Sequence, residues 1–402
     1  MTDAIADFSP ERRRVLQLMA LAAGATTLSW SGKLFAAASN TDTRFLLVFL
    51  RGGYDASSLL VPISSDDYYS VRPNISIAKT QALPLSTDWG LHPALKDSLY
   101  PLWQRSEIAF MPFAGTDDLT RSHFETQDSI ELGQPVSGHR DYQSGFINRL
   151  AAQIQGIPAI SFTGTLPICC SGGINIPNVA LQDANHSPFD ERQSKLLAAM
   201  YSNTALAQQV HEGLNLRQDV AKMLQDEMTA ANRGAASSTA FENQARRMGK
   251  LMREQYRLGF VDVGGWDTHV NQGNANGALA TNLNNLGKGL AAFAQETGDT
   301  WSKTVVVVVS EFGRTFRENG NKGTDHGHGS VYWVMGGGIR GGQIAGQQSA
   351  VSIATLFQNR DWPVLNDYRS MLGGMFGHMY GLSGKQLDAV FPGVRAVDMG
   401  LV

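Results

Sequence analysis

Two histidines, His326 and His328, stand one residue apart in the glycine-rich stretch TDHGHGS. Side chains two positions apart in an extended segment point to the same side, so the pair can aim two imidazoles at one metal ion while the glycines keep the approach open. Asp325 stands beside them, and GWDTH repeats the spacing with Asp267 and His269. Asp55 in RGGYD and Glu311, just past a run of five valines, add two carboxylates. Together these oxygen and nitrogen donors suit zinc first, with manganese or iron as alternatives, rather than calcium. Isolated histidines are ordinarily satisfied loop or core residues, and His92, His139, His186, His211 and His378 read that way.

A candidate nucleophile lies in TRSHFE. Ser122 followed three residues later by Glu125 fits a capping box, which would make it only the start of a helix. A helix start also offers backbone N–H groups and the positive end of a dipole to an anion, and a metal can ionise a hydroxyl placed there. Arg121 would assist with an anionic oxygen. Glycines do not flank Ser122 in the G-x-S-x-G manner, which argues against a nucleophile elbow. Arg314, three residues after Glu311, suits either a phosphate clamp or a structural ion pair, and the ion pair is the preferred reading. Gly336, Gly338 and Gly341 match G-x-G-x-x-G in form, but no amphipathic helix and no spaced acid follow, so they read as a turn.

These residues need a scaffold that brings distant loops together. Val305 to Val309 has no polar face, as expected of a strand covered on both sides. RFLLVFL (44–50), EIAFMPF (107–113), YRLGFVDV (256–263) and GSVYWVMGGG (329–338) read as further strands, with helical patterns between them. That alternation predicts an α/β fold: a doubly wound, mostly parallel sheet with helices on both faces. Ligands of such sheets bind outside the carboxyl ends of the strands, where most of the candidate residues fall. Residues 187–256 change to an alanine-, leucine- and glutamine-rich helical texture, read as a helical insertion or lid, with sheet-covering helices as the alternative.

With 402 residues, 43% of them hydrophobic, the chain can bury a large core, and its formal charge of -3 gives nucleic acid no electrostatic footing. Cys169 and Cys170 are adjacent, so a bridge between them would be strained and would close almost no loop. Residues 1–38 read as an export signal: Arg12-Arg13-Arg14, a weakly apolar stretch, and Ala36-Ala37-Ala38 as the cleavage site. The arginine pair followed by Arg14, Val15 and Leu16 is similar to the twin-arginine pattern, whose pathway carries folded proteins. The expectation is cleavage after Ala38, no stable membrane span, and a mature periplasmic domain over 39–402.

FLRGGYDASSLLVP, RSHFETQD, GGWDTH, VVVSEFGRT and GTDHGHGS followed by MGGGIRGG resemble, in this order, the bacterial family of domain of unknown function 1501. The likeness covers essentially the whole mature chain. That family is similar to a remote branch of the alkaline phosphatase and sulfatase superfamily, which cleaves phosphate or sulfate esters at a two-metal site. The resemblance implies Asp55 as first-strand metal ligand, Ser122 as nucleophile, and Asp267 and His269 holding one ion with His326 or His328. Glu311 would bind the other. The superfamily has Asp-His where this chain has Glu311-Phe312, so one histidine is missing. Either His123 or His328 substitutes, or a single ion binds, or hydrolysis is lost and a non-catalytic binding or assembly protein remains. The implied partners are a small anionic ester and the twin-arginine export machinery.

Overall fold

In the computed structural model, residues 42–181, 197–202, 204–215 and 240–402 are described. The export signal at 1–38 lies outside them, as does much of the 187–256 segment. Ten strands are formed: β1 (Arg44–Leu50), β2 (Leu60–Pro62), β3 (Leu83–Pro84), β4 (Trp89–Leu91), β5 (Ile108–Gly115), β6 (Ala159–Ser161), β7 (Leu258–Val263), β8 (Thr304–Ser310), β9 (Ser330–Met335) and β10 (Asn366–Asp367). Seven make the main sheet in the order β10-β5-β9-β8-β1-β7-β6, while β2, β4 and β3 form a small antiparallel sheet. The main sheet is parallel except for β9, which runs against both β5 and β8.

The unbroken apolar strands behave as their composition predicts. β1 lies between β8 and β7, with Leu47 level with Val307 and Phe260. Alternate residues serve two cores. Leu46, Val48, Val306 and Val308 face α3 (Ala240–Glu254) and α4 (Ala278–Thr297), through Met248, Leu251, Leu286 and Phe293. Phe45, Leu47, Val305, Val307 and Val309 face α2 (Phe146–Gln153) and α5 (Tyr368–Tyr380), through Ile147, Leu150, Met375 and Phe376. Full burial of each valine stabilises the fold by roughly 1.5–3 kcal/mol relative to exposure. The valine run is therefore a large part of what fixes the position of the loop that follows it. Within the 187–256 segment, α3 belongs to the layer covering the sheet. The glycine run after β9 turns without opening a helix.

The antiparallel direction of β9 positions the candidate centre. Loops leaving the carboxyl ends of β1, β5, β7 and β8 carry residues 51–55, 116–123, 264–269 and 311–314. The loop entering the amino end of β9, residues 324–329, arrives at the same edge.

Candidate metal centre

Three of these loops bring His123, Asp267, His269 and His326 together. His123 Nε2 lies 3.6 Å from Asp267 Oδ2, His269 Nε2 2.9 Å from Asp267 Oδ1, and His326 Nε2 3.1 Å from His269 Nε2. Candidate ligand atoms of His123, Asp267 and His326 all fall within 4.8 Å of one another. The other ring nitrogen of each histidine is anchored. Nδ1 of His123 donates to Glu311 Oε1 at 2.8 Å, Nδ1 of His269 to Asp325 Oδ1 at 3.0 Å, and Nδ1 of His326 to the Arg121 carbonyl at 2.9 Å. Carboxylates and carbonyls only accept, so Nδ1 of each ring carries a proton and the Nε2 atoms face one another, while the 2.9 Å contact of His269 Nε2 with Asp267 Oδ1 calls for a second proton on that ring or a cation beside it. Metal-binding histidines show this outer-shell pattern. His123 Nε2 is buried without a hydrogen-bond partner, and the two facing lone pairs of His269 and His326 repel each other unless a cation or proton lies between them. The donor set fits a divalent ion.

The turn after β1 is shaped for this meeting. Gly52 has φ +123, and a Cβ there would lie 2.7 Å from the Asp267 backbone nitrogen. Gly53 has φ +59, and a Cβ there would collide with the Phe312 ring at 2.4 Å. Only glycine lets these chains approach so closely. Phe312 lies against His123 and His326, with ring centroids 4.9 and 5.0 Å away, as an apolar wall.

Several expected ligands take other roles. Glu311 is buried and does not face the ligand cup directly: it accepts from His123, from Gln127 Nε2 at 2.9 Å, from the Gly52 N–H at 2.8 Å and from Ser310 Oγ at 2.9 Å. Burial alone would raise its pKa, but the bonds from His123 and Gln127 outweigh it and hold the carboxyl below its ordinary value. Glu311 orients His123. Asp55 is also buried, gripped by Arg72 at 2.5 and 3.0 Å and bonded to Gln272 and Ser58 at 2.7 Å each. Burial pushes its pKa up, and Arg72 more than reverses this. His328 parts from His326 because the chain bends at 328 instead of staying extended. Its ring packs on Phe357, and burial lowers its pKa to about 4.

Ser122 is the N-cap residue of α1 (His123–Leu132), but its side chain makes no cap hydrogen bond, so the box with Glu125 does not form. It sits between Arg121, whose carbonyl holds His326, and His123. Arg121 adopts φ +54, and its guanidinium pairs with Asp361 at 2.9 and 3.2 Å and with Gln358 at 2.8 Å, which engages Nε and Nη2 within the protein. Arg314 is a buried ion-pair partner of Asp267. Gln127 was not a sequence candidate. Its signal was the helical i, i+4 spacing from His123, which puts both side chains on Glu311.

Two outcomes follow from these placements. Glu311→Gln keeps the shape but weakens the anchor of His123, and is expected to lower zinc affinity about 10- to 100-fold, measured by chelator competition. The second outcome concerns pH. His92, wholly buried, has its pKa lowered to about 4 by burial, as does His328. Unfolded histidine binds a proton below pH ~6.5 and these folded ones do not until about 4, so stability present above 6.5 is lost as pH falls between those values. Each histidine contributes on the order of 3 kcal/mol across that window. Urea unfolding of His92→Gln and His328→Gln between pH 7 and 4.5 should show shallower pH dependence than the wild type.

Among the described residues, no helix is long and apolar enough to cross a membrane. No curated protein matches the sequence. Among solved structures, similarity reaches a protein in the alkaline phosphatase superfamily from Vibrio parahaemolyticus, at 12% identity and TM-score 0.39, covering 84% of this chain and 71% of that one. The lipoteichoic acid synthase LtaP from Listeria monocytogenes is similar at 9% identity and TM-score 0.39, covering 91% and 77%. TAB5 alkaline phosphatase, in a mutant form with Mg bound, is similar at 12% identity and TM-score 0.29, covering 73% and 90%. Residues 42–391 match the family described as protein of unknown function (DUF1501), and the chain belongs to that family.

Proposed function

We propose that this protein is an exported, metal-dependent hydrolase of phosphate or sulfate esters with Ser122 as its nucleophile. The observation that carries the reading is the cluster of three imidazole Nε2 atoms and Asp267 beside an uncapped helix start. Nε2 of His123, His269 and His326 and the Asp267 carboxylate would hold the ion, zinc first and manganese or iron as alternatives. When bound, the ion would polarise the ester and lower the pKa of a hydroxyl or water in contact with it. The chain's own residues do the rest. Glu311, Asp325 and the Arg121 carbonyl hold the imidazoles in the tautomer that leaves Nε2 open. The first N–H groups of α1 lie beyond Ser122, whose side chain leaves them uncapped, and suit an anionic oxygen. Ser122 Oγ would attack phosphorus or sulfur as the ester bond to the alcohol oxygen breaks and that oxygen takes up the serine proton; water would then cleave the seryl ester, returning the hydroxyl to Ser122 and releasing the acid.

A second reading, a non-catalytic extracytoplasmic protein that keeps one ion for binding or assembly, is favoured by the commitment of Asp55 and Glu311 to internal hydrogen bonds. Elemental analysis of protein purified without chelator, with a screen of aryl phosphates and aryl sulfates, separates the two. Bound metal with turnover supports the hydrolase; bound metal with no turnover on either class supports the second reading. Export through the twin-arginine machinery to the periplasm rests on Arg12-Arg13 and Ala36-Ala37-Ala38. Cell fractionation tests it, with Arg12→Lys, Arg13→Lys expected to leave the protein in the cytoplasm.

A further inference from the structure

Resting on that reading of the metal centre, we infer that the centre holds a single ion and that the Arg314 guanidinium is its second positive charge. Arg314 follows Glu311 out of β8, and its side chain is wholly buried. Nε bonds the Gly53 carbonyl; Nη1 donates to the Thr324 carbonyl at 3.2 Å and lies 3.4 Å from His269 Nε2; Nη2 reaches the Gly52 carbonyl at 2.6 Å, the Trp266 carbonyl at 3.2 Å and Asp267 Oδ1. A guanidinium has five N–H donors; four have carbonyl or carboxylate acceptors within the protein, and the fifth, on Nη1, is turned to the His269 ring. Arg314 therefore has none left for a substrate. What it brings to the centre is a fixed charge and a grip on one oxygen of Asp267, whose other oxygen faces His123.

Most of the carboxylate oxygens around the centre are already committed. Glu311 accepts four hydrogen bonds, Asp55 is paired with Arg72, and Asp325 holds His269 and Asn319. The Phe312 ring covers the flank of His123 and His326. Asp267 is the carboxylate grouped with His123 and His326, and it is already shared with a cation. A second dication beside a guanidinium in a half-buried site meets like-charge repulsion that water screens only in part. Arg314 is thus a positioning residue that acts through Asp267 and through its charge.

Zinc titration of the metal-stripped full chain, read by elemental analysis and by competition with a chromophoric chelator, tests this. The wild type and Arg314→Lys are expected to take up one zinc per chain. Arg314→Gln removes the charge and frees Asp267 Oδ1, and is expected to bind its first zinc about tenfold more tightly or to admit a second. A residue that merely braced the loops would give the opposite sign, and weaker zinc binding by folded Arg314→Gln overturns the inference. Two zinc ions per wild-type chain overturn it as well, whether or not Arg314→Gln folds. If the wild type takes up no zinc, manganese or iron, the metal centre itself is overturned, a failure distinct from finding two ions.

Discussion

His326→Ala is expected to leave the chain folded and to lower zinc affinity by more than about 100-fold, beyond the range of an outer-shell change. Turnover of an aryl phosphate should fall with the metal. The expectation follows from where the ring sits. The His326 side chain is 26% exposed, on a loop before β9, so its removal opens no cavity in either core. Its Nε2 faces His269 and Asp267, while Nδ1 is held by a carbonyl that stays in place. His328→Ala is the matched control. That ring is buried on Phe357, and its loss should cost about 1–3 kcal/mol of stability while zinc affinity stays within about twofold. Chelator competition and urea unfolding of both variants check the pair. Equal loss of zinc in the two would mean that the ion is held elsewhere than in this cluster.

That contrast marks where sequence reading stops. The two histidines are one residue apart and share Gly327 as a neighbour, yet one faces the cluster and the other a phenylalanine. Alternation holds only while the backbone is extended, and the bend at 328 depends on Gly329, where a Cβ would meet the Pro363 carbonyl at 2.4 Å. A packing partner 34 positions away left no mark on the local pattern. The valine strand was legible for the opposite reason. A two-sided apolar run has one way to satisfy its surface, between two layers of helices, and the loops that leave such strands must then gather at one edge.

The carboxylates were harder still. Asp55 and Glu311 follow the carboxyl ends of β1 and β8, as the sequence pattern indicates. Their roles were decided by partners with no local signature: Arg72 for Asp55, and Gln127 with the Gly52 N–H for Glu311. A buried carboxylate must be charge-paired or saturated with donors, and which group meets that demand is a tertiary fact. His123 shows the reverse. It entered as a substitute for a missing histidine, and its place in the cluster comes from being the first residue of α1, directly after Ser122.

Ser122→Ala is expected to abolish turnover, lowering kcat/KM at least about 1,000-fold, while the protein keeps its metal and its stability. The stability clause separates two roles for the same side chain. A serine that caps a helix costs about 1 kcal/mol when replaced by alanine. Ser122 accepts no cap bond, so the variant should unfold within about 0.5 kcal/mol of the wild type. The metal clause separates the serine from the ligands, since His123 and the Arg121 carbonyl keep their backbone positions on either side. Steady-state kinetics on an aryl phosphate and an aryl sulfate, urea unfolding and elemental analysis give the three readouts. Loss of about 1 kcal/mol with turnover intact would make Ser122 a cap. Turnover intact at full stability, together with its loss in His326→Ala, would assign the attack to water and leave the serine outside the chemistry.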